Sequence, residues 1–262
     1  MTDSIQPRFD LDALGFSIPG RTILEPLTLS LEPGRVHGLI GGNGSGKSTL
    51  VKLLARHLAL TRGTIRFSGT ALTDWHDRAF ARAVAYMPQF TSAADGMTVR
   101  ELVALGRFPW HGTLGRFGAE DAAHVERALD ITGLKPLAGR LVDTLSGGER
   151  QRAWLGVMLA QDTRCIILDE PTSALDVAHE VGMLELMKRQ CRERGVTVIV
   201  VLHDINLAGR VCDELIALRA GRLIAKGSVA DVVRPERLGE IFGVPMGVMP
   251  HPVRGEPMSY ML

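Results

Sequence analysis

The sequence predicts an α/β protein with a parallel sheet, because apolar strand patterns alternate with helical patterns along the chain. Apolar runs at Val36–Ile40, Arg164–Asp169 and Val196–Leu202 are each long enough for one buried strand. The helical pattern Leu50–Ala55 follows the first run, and the helical span Ala178–Arg194 separates the other two. Strand–helix–strand alternation of this kind is typical of a parallel sheet covered by helices.

Two other regions predict an antiparallel part and a helical part. Residues 10–31 alternate apolar and polar around the turn signal Pro19-Gly20, which predicts antiparallel strands. Three stretches with few β-branched residues predict helices in the middle of the chain: Met97–Leu105, Ala119–Thr132 and Gly148–Gln161. We therefore expect a helical subdomain at 91–160 inserted into an α/β core of residues 1–90 and 161–262. The core includes the antiparallel subdomain and a C-terminal tail.

The composition excludes several classes of protein. The 262 residues carry 30 Lys and Arg against 29 Asp and Glu, so no overall field favours nucleic acid or an anionic membrane. Cys165, Cys191 and Cys212 lack metal-ligand spacing, and an odd number disfavours a disulfide framework. The N-terminus has no signal-peptide pattern, and the longest aliphatic run, Val196–Leu202, is far shorter than the ~20 residues of a spanning helix. We expect a soluble protein in a reducing compartment.

The segment GGNGSGKST lies between a predicted strand and a predicted helix and fits the pattern G-x-x-x-x-G-K-[ST]. Its glycines let backbone amides turn toward phosphate oxygens, and the helix N-terminus adds a positive dipole end. We expect Lys47 to contact the β- and γ-phosphates and Ser48 to ligate Mg²⁺. The alternative, a glycine-rich turn with a surface lysine, is disfavoured by the flanking elements. The predicted ATP-binding residues, here called the phosphate loop, are Gly41, Gly42, Asn43, Gly44, Ser45, Gly46, Lys47, Ser48 and Thr49.

Polar residues follow the two later apolar runs. Asp169 and Glu170 close the run Cys165–Leu168, and the carboxyl ends of parallel strands face the ligand crevice. We expect Asp169 to hold Mg²⁺, mainly through water, and Glu170 to act as the general base. His203 ends the next run and is expected to donate a hydrogen bond to the γ-phosphate. The alternatives are a helix cap or a solvated turn for the acids and a structural role for His203; we assign the other seven histidines a structural role.

A second glycine-rich turn, LSGGE, precedes a helix that carries Arg150, Gln151 and Arg152. The Ser146 hydroxyl and the bare amides of Gly147 and Gly148, at a helix N-terminus, form another anion-binding geometry. The alternative is an ordinary turn with a serine N-cap. One nucleotide can use both turns if two copies of the chain sandwich it. Ser146–Gly148 is called the signature turn below.

Together these segments resemble the ATP-binding-cassette (ABC) ATPases over essentially the whole chain. The order of the phosphate loop, Gln89, LSGGERQR, CIILDE, the PTSALD segment ending at Asp176, and His203 is that of the family. The resemblance implies a P-loop NTPase core with a parallel sheet, an antiparallel β subdomain and an inserted α-helical subdomain.

The resemblance also implies an assembly and further site residues. ATP would lie in a head-to-tail homodimer, between the phosphate loop of one copy and the signature turn of the other, with Asp176 also in the ATP site. Gln89 is implied as a catalytic residue that senses Mg²⁺ and links hydrolysis to the transporter partner. The family stacks adenine on an aromatic residue near the Pro19-Gly20 turn, where this chain has Ile18. Ile18 would cover one purine face without the roughly 1 kcal/mol that an aromatic ring adds, which leaves the preference for ATP over GTP open.

Within the family the chain is similar to importer ATPases for metal chelates, namely ferric siderophores, haem and cobalamin. Gly96–Pro109 carries this likeness, and Trp110–Gly118 and Gly243–Pro252 are most similar to ATPases of bacterial ferric hydroxamate uptake. The resemblance implies a subunit at the cytoplasmic face of the inner membrane that powers import through a separate permease, with a periplasmic siderophore-binding protein. The alternatives are another metal chelate, a non-transport ABC ATPase acting on nucleic acid, and a regulatory module without turnover.

Three apolar residues of the insertion are predicted to form a groove for a short permease helix, the helix-in-groove mode of recognition. The alternative is packing within the insertion itself. The apolar residues are Met97, Phe108 and Trp110, and the predicted charged rim is Arg100, Arg107 and Arg116.

Overall fold

The computed structural model describes residues 7–89, 94–111, 115–171 and 176–262. Parts of three predicted segments therefore lie outside the described residues: residues 91–93 of the insertion, residues 112–114 of Trp110–Gly118, and residues 172–175 of PTSALD. The strands of the described residues are β1 (Phe9–Ile18), β2 (Arg21–Leu31), β3 (Val36–Ile40), β4 (Arg62–Phe67), β5 (Thr70–Ala71), β6 (Val84–Met87), β7 (Cys165–Leu168), β8 (Thr197–Val201), β9 (Glu214–Arg219), β10 (Arg222–Gly227), β11 (Met246–Pro250) and β12 (Pro257–Met261). Their α-helices are α1 (Lys47–Leu54), α2 (Asp77–Ala83), α3 (Val99–Ala104), α4 (Phe108–His111), α5 (Ala119–Ile131), α6 (Gly147–Gln161), α7 (Val177–Arg194), α8 (Ile205–Val211), α9 (Val229–Val232) and α10 (Pro235–Phe242).

The chain forms two compact units, and helix α7 contributes to both. The first unit combines Met1–Asp74 with Leu184–Leu262, and the second is Trp75–Met183. The narrower helical subdomain expected at 91–160 stays a prediction. None of the helices in the described ranges is both long and apolar enough to span a bilayer.

The first unit contains an antiparallel sheet and a mainly parallel set of strands, as the sequence predicts. In the antiparallel sheet the order is β2-β1-β4-β5, and β1 turns into β2 with Ile18 paired to Arg21. In the other set the order is β10-β9-β3-β8, with β3 parallel to both of its neighbours. Every residue of β3 and β8 is buried, which explains why these strands are uniformly apolar rather than alternating. The parallel core and the antiparallel region are therefore confirmed.

The second unit holds helices α2–α6 and the parallel strand pair β6 and β7. Its first long helical pattern is shorter than expected. Helix α3 begins at Val99, because Thr98 caps it through a reciprocal pair of hydrogen bonds with Glu101. A 3₁₀ turn at Leu105–Arg107 ends it. The predicted helix Met97–Leu105 thus loses its first two residues to the cap and its last residue to the turn.

The expectation that Arg107 belongs to an exposed charged rim is wrong. Arg107 is 2% exposed, and its guanidinium donates hydrogen bonds to Asp121 at 2.9 Å and to the Ala160 carbonyl at 2.9 Å. The Trp110 ring lies 5.1 Å from the Arg82 guanidinium and 4.9 Å from that of Arg107, and its Nε1–H donates to the Gln161 carbonyl at 2.7 Å. Trp110 therefore packs within its own unit through cation–π contacts.

Of the three residues predicted to line the groove, two remain exposed. Phe108 is 52% exposed and Met97 is 36% exposed. Phe108 is the better candidate for an exposed apolar contact, because the ring of Trp110 is already engaged.

Candidate functional site

The phosphate loop connects β3 to α1, and its backbone has conformations that only glycine adopts easily. Gly41 has a φ of 142° and Gly46 a φ of 102°, both in the region that side chains disfavour. A Cβ at Gly41 would lie 2.0 Å from the Leu218 carbonyl oxygen, and one at Gly46 would lie 2.5 Å from Leu24 Cδ2. These two glycines therefore let the loop pass close to β9 and β2 and turn directly into the first residue of α1.

Lys47 lies inside this loop rather than on the surface. Its side chain is 4% exposed, and its ammonium donates hydrogen bonds to the carbonyls of Gly41 at 2.8 Å and Gly42 at 3.1 Å. Burial of an ammonium group is costly unless it has such partners. The alternative of a glycine-rich turn with a surface lysine does not match this geometry.

Ser45 gives an independent reason to expect an anion at the loop. Its Oγ is buried and has no hydrogen-bond partner among the described residues, although buried hydroxyls are normally paired. The Ser45 backbone is held in place, since its carbonyl accepts from Gly221 N at 3.1 Å and its N–H donates to the Gly42 carbonyl at 3.2 Å. A fixed hydroxyl donor without a partner suits a phosphate oxygen.

Two other predicted residues of the first unit are exposed. Strand β8 ends at Val201, so exposed His203 lies two residues beyond it rather than at its end. Ile18 is the last residue of β1 and is 46% exposed, so its side chain is available to a planar ligand. Register shifts interrupt β1 on both sides of Phe16, and simple alternation therefore does not predict which of its side chains share a face. The roles of Ile18 and His203 toward ATP stay predictions.

The acidic pair follows β7 in the second unit, as expected. The Asp169 N–H continues the ladder by donating to the Met87 carbonyl at 2.9 Å, and Asp169 is 1% exposed. Glu170 is half-buried and has a φ of 50°, a conformation that costs a non-glycine residue free energy. The Gln89 amide donates to the Glu170 carboxylate at 2.5 Å. The structure thus brings two of the predicted catalytic side chains, Gln89 and Glu170, into direct contact.

Tyr86, three residues before Gln89, is a candidate site residue that no sequence motif singled out. The Tyr86 hydroxyl donates to Asp169 Oδ2 at 3.4 Å. Burial, followed by the negative charge of Asp169, raises the pKa of Tyr86, so the phenol keeps the proton that it donates. The signal available in the sequence was a tyrosine near the carboxyl end of the predicted strand before Gln89, because parallel strands end at the same edge of a sheet as the acidic pair.

The signature turn is the N-terminus of α6 and is largely exposed. Ser146 is the N-cap residue: its Oγ accepts from Glu149 N at 3.3 Å, and the Glu149 carboxylate accepts from Ser146 N at 2.8 Å and Ser146 Oγ at 2.9 Å. These hydrogen bonds lower the pKa of Glu149, the one from the Ser146 backbone most. Ser146 and Gly147 are exposed and Gly148 is half-buried. The turn therefore presents its first amides to the surroundings.

A second missed residue, His179, lies against this turn. A Cβ at Gly148 would lie 3.3 Å from Cδ2 and Cγ of the His179 ring. The same ring donates from Nδ1 to Asp176 Oδ1 at 2.8 Å. The signal available in the sequence was the spacing: a histidine three residues after Asp176, a predicted residue of the ATP site, can reach its carboxylate.

The donor chemistry of the predicted Mg²⁺ ligands fits that ion. In the described ranges, no three His, Cys, Asp or Glu side chains are grouped closely enough to hold a metal by themselves. The predicted donors are the hydroxyl of Ser48, the amide of Gln89 and the carboxylate of Asp169, all hard oxygen groups. Mg²⁺ is commonly held by few protein oxygens together with water and substrate phosphates.

Comparisons with known proteins agree with this geometry. The profile of the ABC transporter family matches residues 24–173. The ferric enterobactin transport ATP-binding protein of Escherichia coli (strain K12) is 38% identical over 258 residues, which cover 98% of this chain and 95% of that protein. The iron(3+)-hydroxamate import ATP-binding protein of Bacillus subtilis (strain 168) is 37% identical over 247 residues, covering 94% of this chain and 92% of the relative.

A solved structure extends the likeness to the whole fold. It is an ABC transporter assigned to the metal-chelate type, in an inward-facing conformation, with a TM-score of 0.84 and 26% identity. The match covers 98% of this chain and 97% of that one. The mixed parallel and antiparallel architecture, the phosphate loop and these matches together place the chain: it belongs to the ABC transporter family.

Proposed function

We propose that this chain is the ATP-hydrolysing subunit of a bacterial importer and that it powers uptake of a ferric siderophore. The observation that carries the proposal is the identity of 37–38% to two siderophore-transport ATP-binding proteins over at least 94% of the chain. The finer assignment to a hydroxamate siderophore rests on the sequence segments Trp110–Gly118 and Gly243–Pro252. Another siderophore, haem or cobalamin is the alternative cargo.

Nucleotide binding begins at the phosphate loop. The γ- and β-phosphates accept hydrogen bonds from the loop amides and from the Ser45 hydroxyl, whose lack of a partner supports this role. The Lys47 ammonium already lies within the loop, so it needs no large rearrangement to contact phosphate. Ile18, exposed at the end of β1, covers the base.

Hydrolysis uses the predicted catalytic residues. Glu170 accepts a proton from the attacking water, and His203 donates a hydrogen bond to the γ-phosphate. Ser48, Gln89 and Asp169, together with water, would hold Mg²⁺, which would neutralise phosphate charge. Tyr86 orients the Asp169 carboxylate. The Gln89 amide donates a hydrogen bond to Glu170 Oε2 and so orients the carboxylate that accepts this proton.

Turnover requires two copies of the chain. ATP bound to the phosphate loop of one copy is contacted by the signature turn of the other, in a head-to-tail homodimer that closes on ATP and reopens after hydrolysis. The exposure of Ser146 and Gly147 supports this arrangement.

The helical insertion passes this motion to the import machinery. We propose that its exposed residues Met97 and Phe108 contact a separate integral membrane permease. The chain is then a peripheral protein at the cytoplasmic face of the inner membrane. A periplasmic siderophore-binding protein delivers the cargo to the permease from the other side.

The test is Glu170→Gln, compared with Glu120→Gln, an exposed glutamate in the same unit. We expect Glu170→Gln to lower ATP hydrolysis by about 10²–10⁴-fold, because an amide cannot accept the proton, while ATP binding persists. In cells that lack the native gene, uptake of radioactive iron is measured with a ferric hydroxamate, a ferric catecholate and haem. Only the control variant should restore uptake, and the substrate restored identifies the cargo. Wild-type turnover by Glu170→Gln would remove Glu170 from the mechanism, and no dependence of any uptake on the gene would overturn the proposed function.

A further inference from the structure

The His179 ring contacts both Asp176 and the signature turn at Gly148, which are distant from each other in the sequence. Neither contact of the ring is needed to form the helix on which His179 lies. The residue is the third of α7, and its backbone N–H donates to Asp176 Oδ1 at 2.9 Å, as in an ordinary N-cap. Its ring adds a second hydrogen bond, from Nδ1 to the same oxygen at 2.8 Å. The Asp176 carboxylate is therefore held by two donors of one residue.

The other contact of the ring is with the first turn of α6. An L-residue at position 148 would place its Cβ 3.3 Å from Cδ2 and Cγ and 3.5 Å from Nδ1 of His179, which is tighter than normal packing. Gly148 has no left-handed φ, so conformation does not demand glycine there. What the glycine provides is room for the ring. The His179 side chain is still 43% exposed, so the ring covers the turn without being buried by it.

We infer that His179 is a positioning residue for the second half of the ATP site: it fixes the Asp176 segment against the signature turn. Nδ1–H is committed to Asp176, which fixes the orientation of the ring plane. The ring then limits how Gly148 and the amides beside it can move. A turn that must meet a nucleotide carried by another copy gains from being fixed before the encounter.

The inference rests on the proposed sandwich dimer, because only there do the signature turn and Asp176 meet a nucleotide. The proposed role of His179 differs from that of the phosphate-loop residues in one measurable way. His179 should influence the association of two ATP-loaded chains and leave the affinity of one chain for ATP unaffected.

The experiment measures ATP-dependent dimerisation of Glu170→Gln protein by analytical ultracentrifugation, with further substitutions at position 179. His179→Ala removes both contacts, His179→Phe keeps the ring alone, and His179→Asn keeps a donor for Asp176 alone. We expect His179→Ala to weaken dimerisation about tenfold, the effect of losing one charge-assisted hydrogen bond and its packing, with His179→Phe and His179→Asn each recovering part of it. His76→Ala, an exposed histidine at the start of α2 whose side chain makes no cap hydrogen bond, is the matched control and should dimerise like the parent.

The possible results separate the inference from the function on which it rests. If Glu170→Gln protein does not dimerise with ATP at all, the sandwich itself is wrong and the inference falls with it. If the parent dimerises and His179→Ala dimerises equally well, only the inference is overturned. The same holds if His179→Ala weakens ATP binding to the single chain as much as dimerisation, since that indicates a general structural role.

A second measurement tests the contact without any nucleotide. Gly148→Ala should lower the melting temperature when His179 is present, because the new methyl group presses on the ring. In a His179→Ala background the same change should be neutral or stabilising, as expected for glycine to alanine in a helix. Equal effects in both backgrounds would show that the ring does not restrain the turn.

Discussion

The phosphate loop and the signature turn are both glycine-rich turns at the start of a helix, but their surroundings differ. The loop is closed by its own unit: Lys47 is buried against loop carbonyls, and Ser45 is tied to Gly221. The signature turn is open: Ser146 and Gly147 are exposed, and the backbone N–H and the hydroxyl of Ser146 are paired with Glu149. The phosphate loop is thus enclosed by its own unit, whereas the signature turn is exposed and is the surface that the proposed dimer would bring to a second copy.

The glycines of the two turns serve different purposes. In the phosphate loop, Gly41 is required by its φ and by a carbonyl oxygen 2.0 Å from the position of a Cβ. In the signature turn, Gly148 has an ordinary φ and instead makes room for the His179 ring. A glycine pattern alone therefore predicts that another group approaches the backbone closely, but it does not identify that group. The group is a backbone carbonyl, that of Leu218, at Gly41 and a side chain, that of His179, at Gly148.

The largest expected effect comes from Gly41→Ala, compared with Gly42→Ala in the same loop. A Cβ at Gly41 collides with the Leu218 carbonyl, whereas one at Gly42 meets nothing within 4 Å, and Gly42 has no left-handed φ. We expect Gly41→Ala to lower the free energy of unfolding by roughly 3 kcal/mol, from backbone strain and overpacking. Gly42→Ala should unfold like the wild type in a urea titration. Equal stability of the two variants would show that the loop is not closed against β9.

The smallest expected effect concerns the strand that supports the loop. His37 of β3 is fully buried, and its two ring nitrogens lie 3.0 Å from the Glu214 carboxylate and 2.8 Å from the Glu32 carbonyl oxygen. Burial alone would raise the pKa of Glu214, but the hydrogen bond from His37 and the charge of Lys226 outweigh it, and the pKa is lowered. This stabilisation is fully present above the unfolded pKa of about 4.3 and is lost as the pH falls through the lower folded pKa.

Glu214→Gln should therefore flatten the acid end of the stability curve. Urea unfolding measured between about pH 5 and pH 3 should show a smaller loss for Glu214→Gln than for the wild type. Glu236→Gln, an exposed glutamate in the first turn of α10, is the control and should retain the wild-type slope. Identical slopes for all three proteins would mean that the Glu214–His37 contact contributes nothing to the support of β3.

Much of the fold and the candidate site could be predicted because their signals are local. Buried parallel strands are uniformly apolar, and the phosphate loop, the acidic pair and the signature turn each occupy consecutive residues. Contacts between distant segments leave no such pattern. The burial of Arg107 depends on Asp121 and on the end of α6, and the placement of His179 depends on Gly148, 31 residues earlier. An arginine in a helical insertion and a histidine near a helix start are each more often surface residues, so periodicity alone could not single them out.

In the proposed dimer, the closed phosphate loop of one copy works with the open signature turn of another. The most direct test of this pairing mixes two variants, Lys47→Ala, which removes a phosphate contact worth about 1.5–3 kcal/mol, and Ser146→Arg, which blocks the signature turn. In a head-to-tail dimer of one copy of each, one site carries both defects and the other carries neither. We predict that each variant alone is inactive, that Ser146→Arg still binds ATP as a single chain, and that mixing the two restores phosphate release. If both variants fold and mixing restores no activity, or if Ser146→Arg abolishes ATP binding by the single chain, the two turns do not serve one nucleotide in the way proposed.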